Sequence, residues 1–82
     1  MKNYSLEYKK VMGKRNYVVK LWGINKVASA MTRGEALKTR AYCENIWNAL
    51  ANDIQWVEFT YKKDLLNFIE ILKEDGFKVC FE

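Results

Sequence analysis

The sequence contains no histidine and no proline, and it has only four glycines and two cysteines among 82 residues. Histidine is the usual general base and a frequent metal ligand, so its absence removes the commonest route to catalysis. The glycines are scattered and form no phosphate-binding loop. Neither Ser5 nor Ser29 lies in a nucleophile-elbow setting. We therefore expect a protein that is not an enzyme and has no cofactor and no metal site.

The two cysteines, Cys43 and Cys80, fit neither a CxxC metal site nor a disulfide-rich scaffold. Both lie among apolar residues, where a free cysteine usually behaves as a small hydrophobic side chain. We expect two reduced and mostly buried thiols, as is usual in a reducing compartment. A Cys43–Cys80 disulfide stays open as the alternative, because the sequence does not place the two Cα atoms.

The chain also lacks linkers, low-complexity stretches and internal repeats. It has no apolar run of about 18 residues, and no signal-peptide pattern follows Met1. We expect residues 1–82 to form a single compact domain in the cytoplasm, without a membrane partner. Oligomeric state stays open between a monomer and a homodimer.

Alternation of apolar and polar residues predicts three strands in the first 31 residues, over 4–11, 16–22 and 26–31. Gly13 lies in the predicted first turn, and residues 23–25 form the second. These elements predict an antiparallel β-meander over residues 1–31.

Residues 32–82 predict an α-β-α-β order. The sequence TRGE at 32–35 is a capping box that should begin a helix ending near residue 51. Residues 54–59 predict an internal strand. We expect Thr60 to cap a helix over residues 61–75, and residues 77–81 to form the last strand. Gly76 suits the left-handed position after a helix end.

The predicted fold is therefore α+β, with one mixed five-stranded sheet in the order β-β-β-α-β-α-β and both helices packed on one face. The strands at 54–59 and 77–81 should be parallel, with a right-handed crossover.

Charge is unevenly distributed along the chain. Residues 1–40 hold ten Lys and Arg against two acidic residues, whereas residues 41–82 hold four lysines against eight acidic residues. Four of the cations lie in the segment EYKKVMGKRNY, residues 7–17, which the predicted meander makes a hairpin. If the two halves occupy different faces, the molecule has a directional field. Lysines also commonly decorate hairpin tips to keep them soluble.

We interpret the basic half as a partner-binding surface. A positive face suits docking onto an acidic or nucleic-acid-handling protein complex, where charge complementarity raises the association rate. Trp22 and Tyr42 are the candidate exposed anchors, since aromatic residues often dominate interfaces. The predicted partner-binding residues are Lys9, Lys10, Lys14, Arg15, Lys20, Trp22, Arg33, Arg40 and Tyr42.

The alternative is direct binding of RNA or single-stranded DNA through the same surface, because cations interleaved with aromatic side chains are typical of single-strand binders. No RNP, KH, dsRBD or helix-turn-helix signature supports it. In composition, a short chain rich in Lys and Asn without a catalytic set is similar to accessory proteins of bacteriophages and mobile elements. That likeness implies a stoichiometric inhibitor, for example of a host defence complex, acting in the host cytoplasm.

Overall fold

A computed structural model describes residues 3–8, 13–39 and 54–81, and the fold class in these ranges is α+β as predicted. The helices are α1 (Tyr4–Glu7), α2 (Arg33–Leu37) and α3 (Lys62–Glu74), and the strands are β1 (Tyr17–Trp22), β2 (Val27–Thr32), β3 (Ile54–Phe59) and β4 (Lys78–Phe81).

The strands form one mixed sheet in the order β3-β1-β2-β4. β1 is antiparallel to both β2 and β3, whereas β2 and β4 are parallel. β1 and β2 come from the predicted meander, and strands from the second half of the chain flank them on both sides. The two halves of the sequence therefore build a common sheet.

The prediction of five strands was wrong, because residues 4–7 form the helix α1 instead of a strand. The alternating pattern that predicted a strand contains Tyr4 and Tyr8, which are four residues apart and also share one side of a helix. Both rings contact Phe68, with ring centres 5.7 and 4.7 Å away. Packing against α3 therefore satisfies the apolar pattern in a helical conformation.

The strands β3 and β4 run in the same direction, but they lie at opposite edges with β1 and β2 between them. A connection that joins two edges must cross the whole sheet, and α3 lies in that connection. Its buried residues, Leu65, Phe68, Ile69 and Leu72, recur at helical spacing and pack on the sheet.

The sheet is covered on both faces, so the prediction that both helices pack on one face was wrong. The α3 face is the side whose core residues pack with α1 and α3, and its strand residues are Val19, Leu21, Ala28, Ala30, Val57 and Phe59. The α2 face is the opposite side, where Ala36 of α2 packs with Val18, Met31 and Trp56. Leu65 and Ala36 thus lie on opposite sides of the sheet.

The start of α2 follows the predicted cap. The Thr32 hydroxyl accepts a hydrogen bond from the Glu35 amide at 3.3 Å, which satisfies one free N–H group of the first turn. The Glu35 carboxylate lies 3.8 Å from Lys38 Nζ. The predicted end of this helix, near residue 51, lies outside the described residues.

The ends of α3 agree only in part with the sequence. Tyr61 occupies the N-cap position without a side-chain hydrogen bond, so the assignment of Thr60 as the cap was wrong. At the other end, the Phe77 amide donates to the Leu72 carbonyl at 2.9 Å and the Gly76 amide to the Lys73 carbonyl at 3.1 Å. Gly76 has φ +89°. These features form a Schellman motif, which confirms the predicted left-handed glycine.

Candidate functional site

Three of the predicted partner-binding residues lie at the same end of the sheet. The amide of Arg33 donates to the carbonyl of Asn16 at 2.9 Å, which joins the residue after β2 to the residue before β1. Lys14 and Arg15 come directly before Asn16, and the side chains of Lys14, Arg15 and Arg33 are exposed. We call Lys14, Arg15 and Arg33 the basic end.

Hydrogen bonds to a third strand fix the position of the basic end. The Asn16 amide donates to the carbonyl of Phe59 at 2.9 Å, and the Asn16 side-chain amide donates to the carbonyl of Thr60 at 2.9 Å. Asn16 is therefore bonded to segments on both sides of it. This arrangement holds two cationic residues that are far apart in sequence, Lys14 and Arg33, at the same rim of the sheet.

Arg15 is already engaged within the molecule. Its Nε lies 3.3 Å from Oε2 of Glu58, in an ionic contact that lacks hydrogen-bond alignment. The Glu58 side chain is 11% exposed and that of Arg15 is 56% exposed, so the guanidinium covers a nearly buried carboxylate. Arg15 therefore contributes less net charge to the basic end than Lys14 and Arg33 do.

Lys20 and Trp22 lie on the α2 face and contact each other. Lys20 Nζ is 4.5 Å from the ring centre of Trp22 and 5.3 Å from that of Trp56, within the range of cation–π attraction. Trp22 is half-buried, and Trp56 is buried. The proposed anchor ring of Trp22 is thus covered in part by the protein's own lysine.

In the described residues the predicted hairpin over 7–17 is not observed, because residues 4–7 form α1 and β1 pairs with β2 and β3 on its two sides. Lys9, Lys10, Arg40 and Tyr42 lie outside the described residues, and so does Cys43. Cys80 carries a free thiol and is exposed, contrary to the expectation of a mostly buried side chain.

The positive charge of the described residues is concentrated around β1 and β2. Residues 13–39 hold six Lys and Arg against Glu35 alone, so this region is basic. The helix α3 holds three lysines and three acidic residues, which makes it electrically balanced. The segment from Gly13 to Thr39, which contains β1, β2 and α2, thus provides the positive region with its six cations.

Glu58 is the residue at this site that sequence reasoning missed. It was placed on an internal strand, but its proximity to Arg15 depends on the register that pairs Glu58 with Val18. The alternating pattern of a single strand carries no information about which neighbour it pairs with.

Tyr4 is the described titratable group with a large perturbation, and it lies in the core. Burial, and then the hydrogen bond that its hydroxyl donates to the Asp75 carboxylate, raise the pKa of Tyr4 well above its usual range. Its ring packs edge-on against Phe68 and Phe77. The group therefore ties α1 to the end of α3 and does not belong to the basic end.

Among the residues that the structure describes, no three His, Cys, Asp or Glu side chains cluster as metal ligands would. None of the described helices has the length and apolar character needed to span a bilayer. No protein family, curated protein or solved structure matches this chain.

Proposed function

We propose that this protein is a non-enzymatic binding protein, and that it docks through the basic end onto an acidic or nucleic-acid-handling protein complex. The observation that carries the proposal is the hydrogen bond from the Arg33 amide to the Asn16 carbonyl, which places Arg33 at the end of the sheet that Lys14 and Arg15 also approach. Both side chains are exposed and lie at the rim of the sheet that the Asn16 hydrogen bonds hold in place. A cationic cluster held in this way favours rapid, oriented association with an acidic surface.

A stoichiometric inhibitor or adaptor, in the style of phage and mobile-element accessory proteins, is the role we propose for such docking. It requires a surface and no reacting groups, in keeping with the expectation from composition. Its place of action would be the cytoplasm, and the host cytoplasm if a phage encodes it.

The contact between Lys20 and Trp22 favours a protein partner over a single-stranded nucleic acid. Stacking a base on the Trp22 ring requires an exposed aromatic face, which is the usual platform in single-strand binders. Here Lys20 Nζ stands 4.5 Å from that ring and would have to be displaced. RNA or single-stranded DNA therefore remains the alternative ligand, bound mainly by its phosphates.

The test compares two double variants with equal changes of charge. Lys14→Ala with Arg33→Ala removes two of the three exposed cations of the basic end and leaves the Arg15–Glu58 pair in place. Lys62→Ala with Lys63→Ala removes two exposed lysines from the first turn of α3 and serves as the matched control. Exposed substitutions of this kind change stability little, so both variants should melt within a few degrees of the wild type.

The readout is capture of the partner from the source cell, together with binding of a generic oligothymidylate at several salt concentrations. The proposal expects a discrete protein to be captured by the wild type and by the α3 variant, and to be lost with the basic-end variant. Equal capture by both variants would contradict it.

Oligonucleotide binding would favour the alternative. Each neutralised phosphate of a single strand contributes about −0.7 to the slope of log K against log salt, so the two cations removed should flatten the slope by about 1.4.

A further inference from the structure

An exposed tyrosine, Tyr61, lies at the same end of the sheet as the basic end. The Asn16 side-chain amide donates to the carbonyl of Thr60 at 2.9 Å, and a Cβ added to Gly13 would lie 3.9 Å from Cγ2 of Thr60. The short segment that carries Lys14 therefore approaches Thr60 on both sides of the lysine. Tyr61 directly follows Thr60, and its side chain is 65% exposed.

The Tyr61 side chain contributes no capping bond to α3. It occupies the N-cap position without a side-chain hydrogen bond, and the residues that hold α3 on the sheet begin with the buried Leu65. The ring can therefore be covered by another molecule without loss of a bond that α3 needs. Tyrosine and arginine are also the residue types that dominate binding energy in protein interfaces.

Other aromatic side chains are less well placed to act with the basic end. Trp22 is half-buried and covered in part by Lys20, and Tyr42 lies outside the described residues. Phe81 is exposed, but it belongs to β4, at the opposite edge of the sheet from β3. Tyr61 is therefore the aromatic residue in the described ranges that the Asn16 bonds bring to this end.

Exposed carboxylates are interspersed with the cations at this end of the sheet. Glu35 follows Arg33 by two residues, and Asp64 lies in the first turn of α3 after Tyr61; both are exposed. Single-strand binders instead track the phosphates with a positive groove and a series of aromatic platforms. Because like charges placed together are costly, the mixed charge here favours a folded acidic protein surface over a row of phosphates.

We propose that Tyr61 is the apolar anchor of the basic end, and that the partner protein presents an apolar side chain next to its carboxylates. The role of Tyr61 rests on the proposed function, because it specifies what docks at the basic end. The partner's carboxylates face Lys14 and Arg33, and its apolar side chain covers the Tyr61 ring. Charge then orients the complex, and burial of the ring excludes water from the contact.

The test measures the binding of two fluorescently labelled synthetic peptides to the full chain by fluorescence anisotropy. One peptide alternates glutamate and serine, and the other is identical except for a leucine in place of the central serine. The peptides have the same charge, so the ratio of their affinities isolates the apolar contact. The wild type should bind the leucine peptide about tenfold more tightly, as expected for partial burial of a leucine side chain.

Tyr61→Ala should abolish this preference for the leucine peptide, whereas Tyr61→Phe keeps the ring and should keep the preference. Both variants should melt within a few degrees of the wild type, because the side chain is exposed and makes no capping bond. The double variant Lys62→Ala with Lys63→Ala also keeps the ring, so it is the control for charge near Tyr61 and should retain the preference.

A preference that persists in Tyr61→Ala, or that the wild type lacks, would overturn the role of Tyr61. Oligothymidylate that binds more tightly than either peptide and is weakened by Tyr61→Ala would also overturn it, because the ring would then stack on bases.

The proposed function has its own arm in the same assay. Lys14→Ala with Arg33→Ala should weaken the binding of both peptides by a similar factor, because it removes the charges that both peptides use. Unchanged binding by this double variant would contradict docking through the basic end, and with it the role of Tyr61. Weakened binding by the double variant, together with an unchanged preference in Tyr61→Ala, would overturn the role of Tyr61 alone.

Discussion

Gly76 allows a clean test of the turn that joins α3 to β4. Its φ of +89° lies in the region that L-residues with a Cβ adopt only at a cost of roughly 1–2 kcal/mol. An added Cβ would meet its nearest neighbour, Lys26 Cδ, at 3.8 Å, which is an ordinary contact. The cost of Gly76→Ala therefore comes from the backbone, without a steric clash. A loss of about 1 kcal/mol lowers the melting temperature of a domain of this size by about 4–8 °C.

Gly34→Ala is the matched control, since it makes the same chemical change within α2. Gly34 lies in a helix, and its added Cβ would be 3.9 Å from Thr32 Oγ1. Alanine is favoured over glycine there and should raise stability by about 0.4–1 kcal/mol. Urea and thermal denaturation, each followed by circular dichroism, measure the stability of the Gly76→Ala and Gly34→Ala variants.

Gly76→Asn should fall between the wild type and Gly76→Ala, because asparagine tolerates the left-handed conformation better. If Gly76→Ala melted at or above the wild-type temperature, the Schellman motif at Gly76 would not be what sets the end of α3.

Two further predictions concern the core under α1. Phe68→Ala should lower the free energy of unfolding, measured by chemical denaturation, by about 3–5 kcal/mol, because the Phe68 ring contacts Tyr4, Tyr8 and Phe59. Phe68→Leu should lower it clearly less. Equal losses in the two variants would show that the ring packing is unimportant. Tyr4→Phe should cost about 1–2 kcal/mol through the lost bond to Asp75. The pKa of Tyr4 in the folded state is raised above the ordinary value of 10.0. The stabilisation that the Tyr4 hydroxyl provides is therefore complete below pH 10.0 and is lost as the pH rises further. Above that pH, Tyr4→Phe should lose less stability than the wild type. An identical alkaline loss in both proteins would contradict this.

Elements set by local chemistry could be predicted from the sequence. The Thr32 cap depends on a hydroxyl and an amide three residues apart, and Gly76 depends on one backbone angle. The strand at 54–59 was found at its observed bounds because a run of apolar residues between turns has few alternatives, but the prediction that it is internal was wrong, since it lies at an edge of the sheet. In each case the deciding interaction lies within a few residues along the chain.

Elements set by distant contacts could not be predicted. Tyr4 and Tyr8 fit a strand and a helix equally well, and only the position of Phe68 decides between them. The positions of β3 and β4 at opposite edges likewise depend on the competition among four strands for neighbours. The covering of the second face was not predicted, because the sequence indicates only that Val18 and Trp56 lie on strands. Their packing with Ala36 of α2 depends on the three-dimensional structure.

The candidate site likewise has features that the sequence predicts and features that depend on contacts between distant residues. Counting charges identified the basic half of the chain, and the pairing of β1 with β2 is what places Lys14 and Arg33 at the same end of the sheet. The pairing of β1 with β3 brings Glu58 to Arg15, and this contact partly neutralises one cation of the basic end.

Replacing Arg15 would therefore do two things at once: it would remove a surface charge and leave a nearly buried carboxylate without its cation, which is a costly state in a protein interior. Lys14 and Arg33 are exposed, and in the described parts of the chain neither forms an ionic contact with a carboxylate. A partner that recognises this rim by charge should thus depend on Lys14 and Arg33, while Arg15 mainly maintains the strand that presents them.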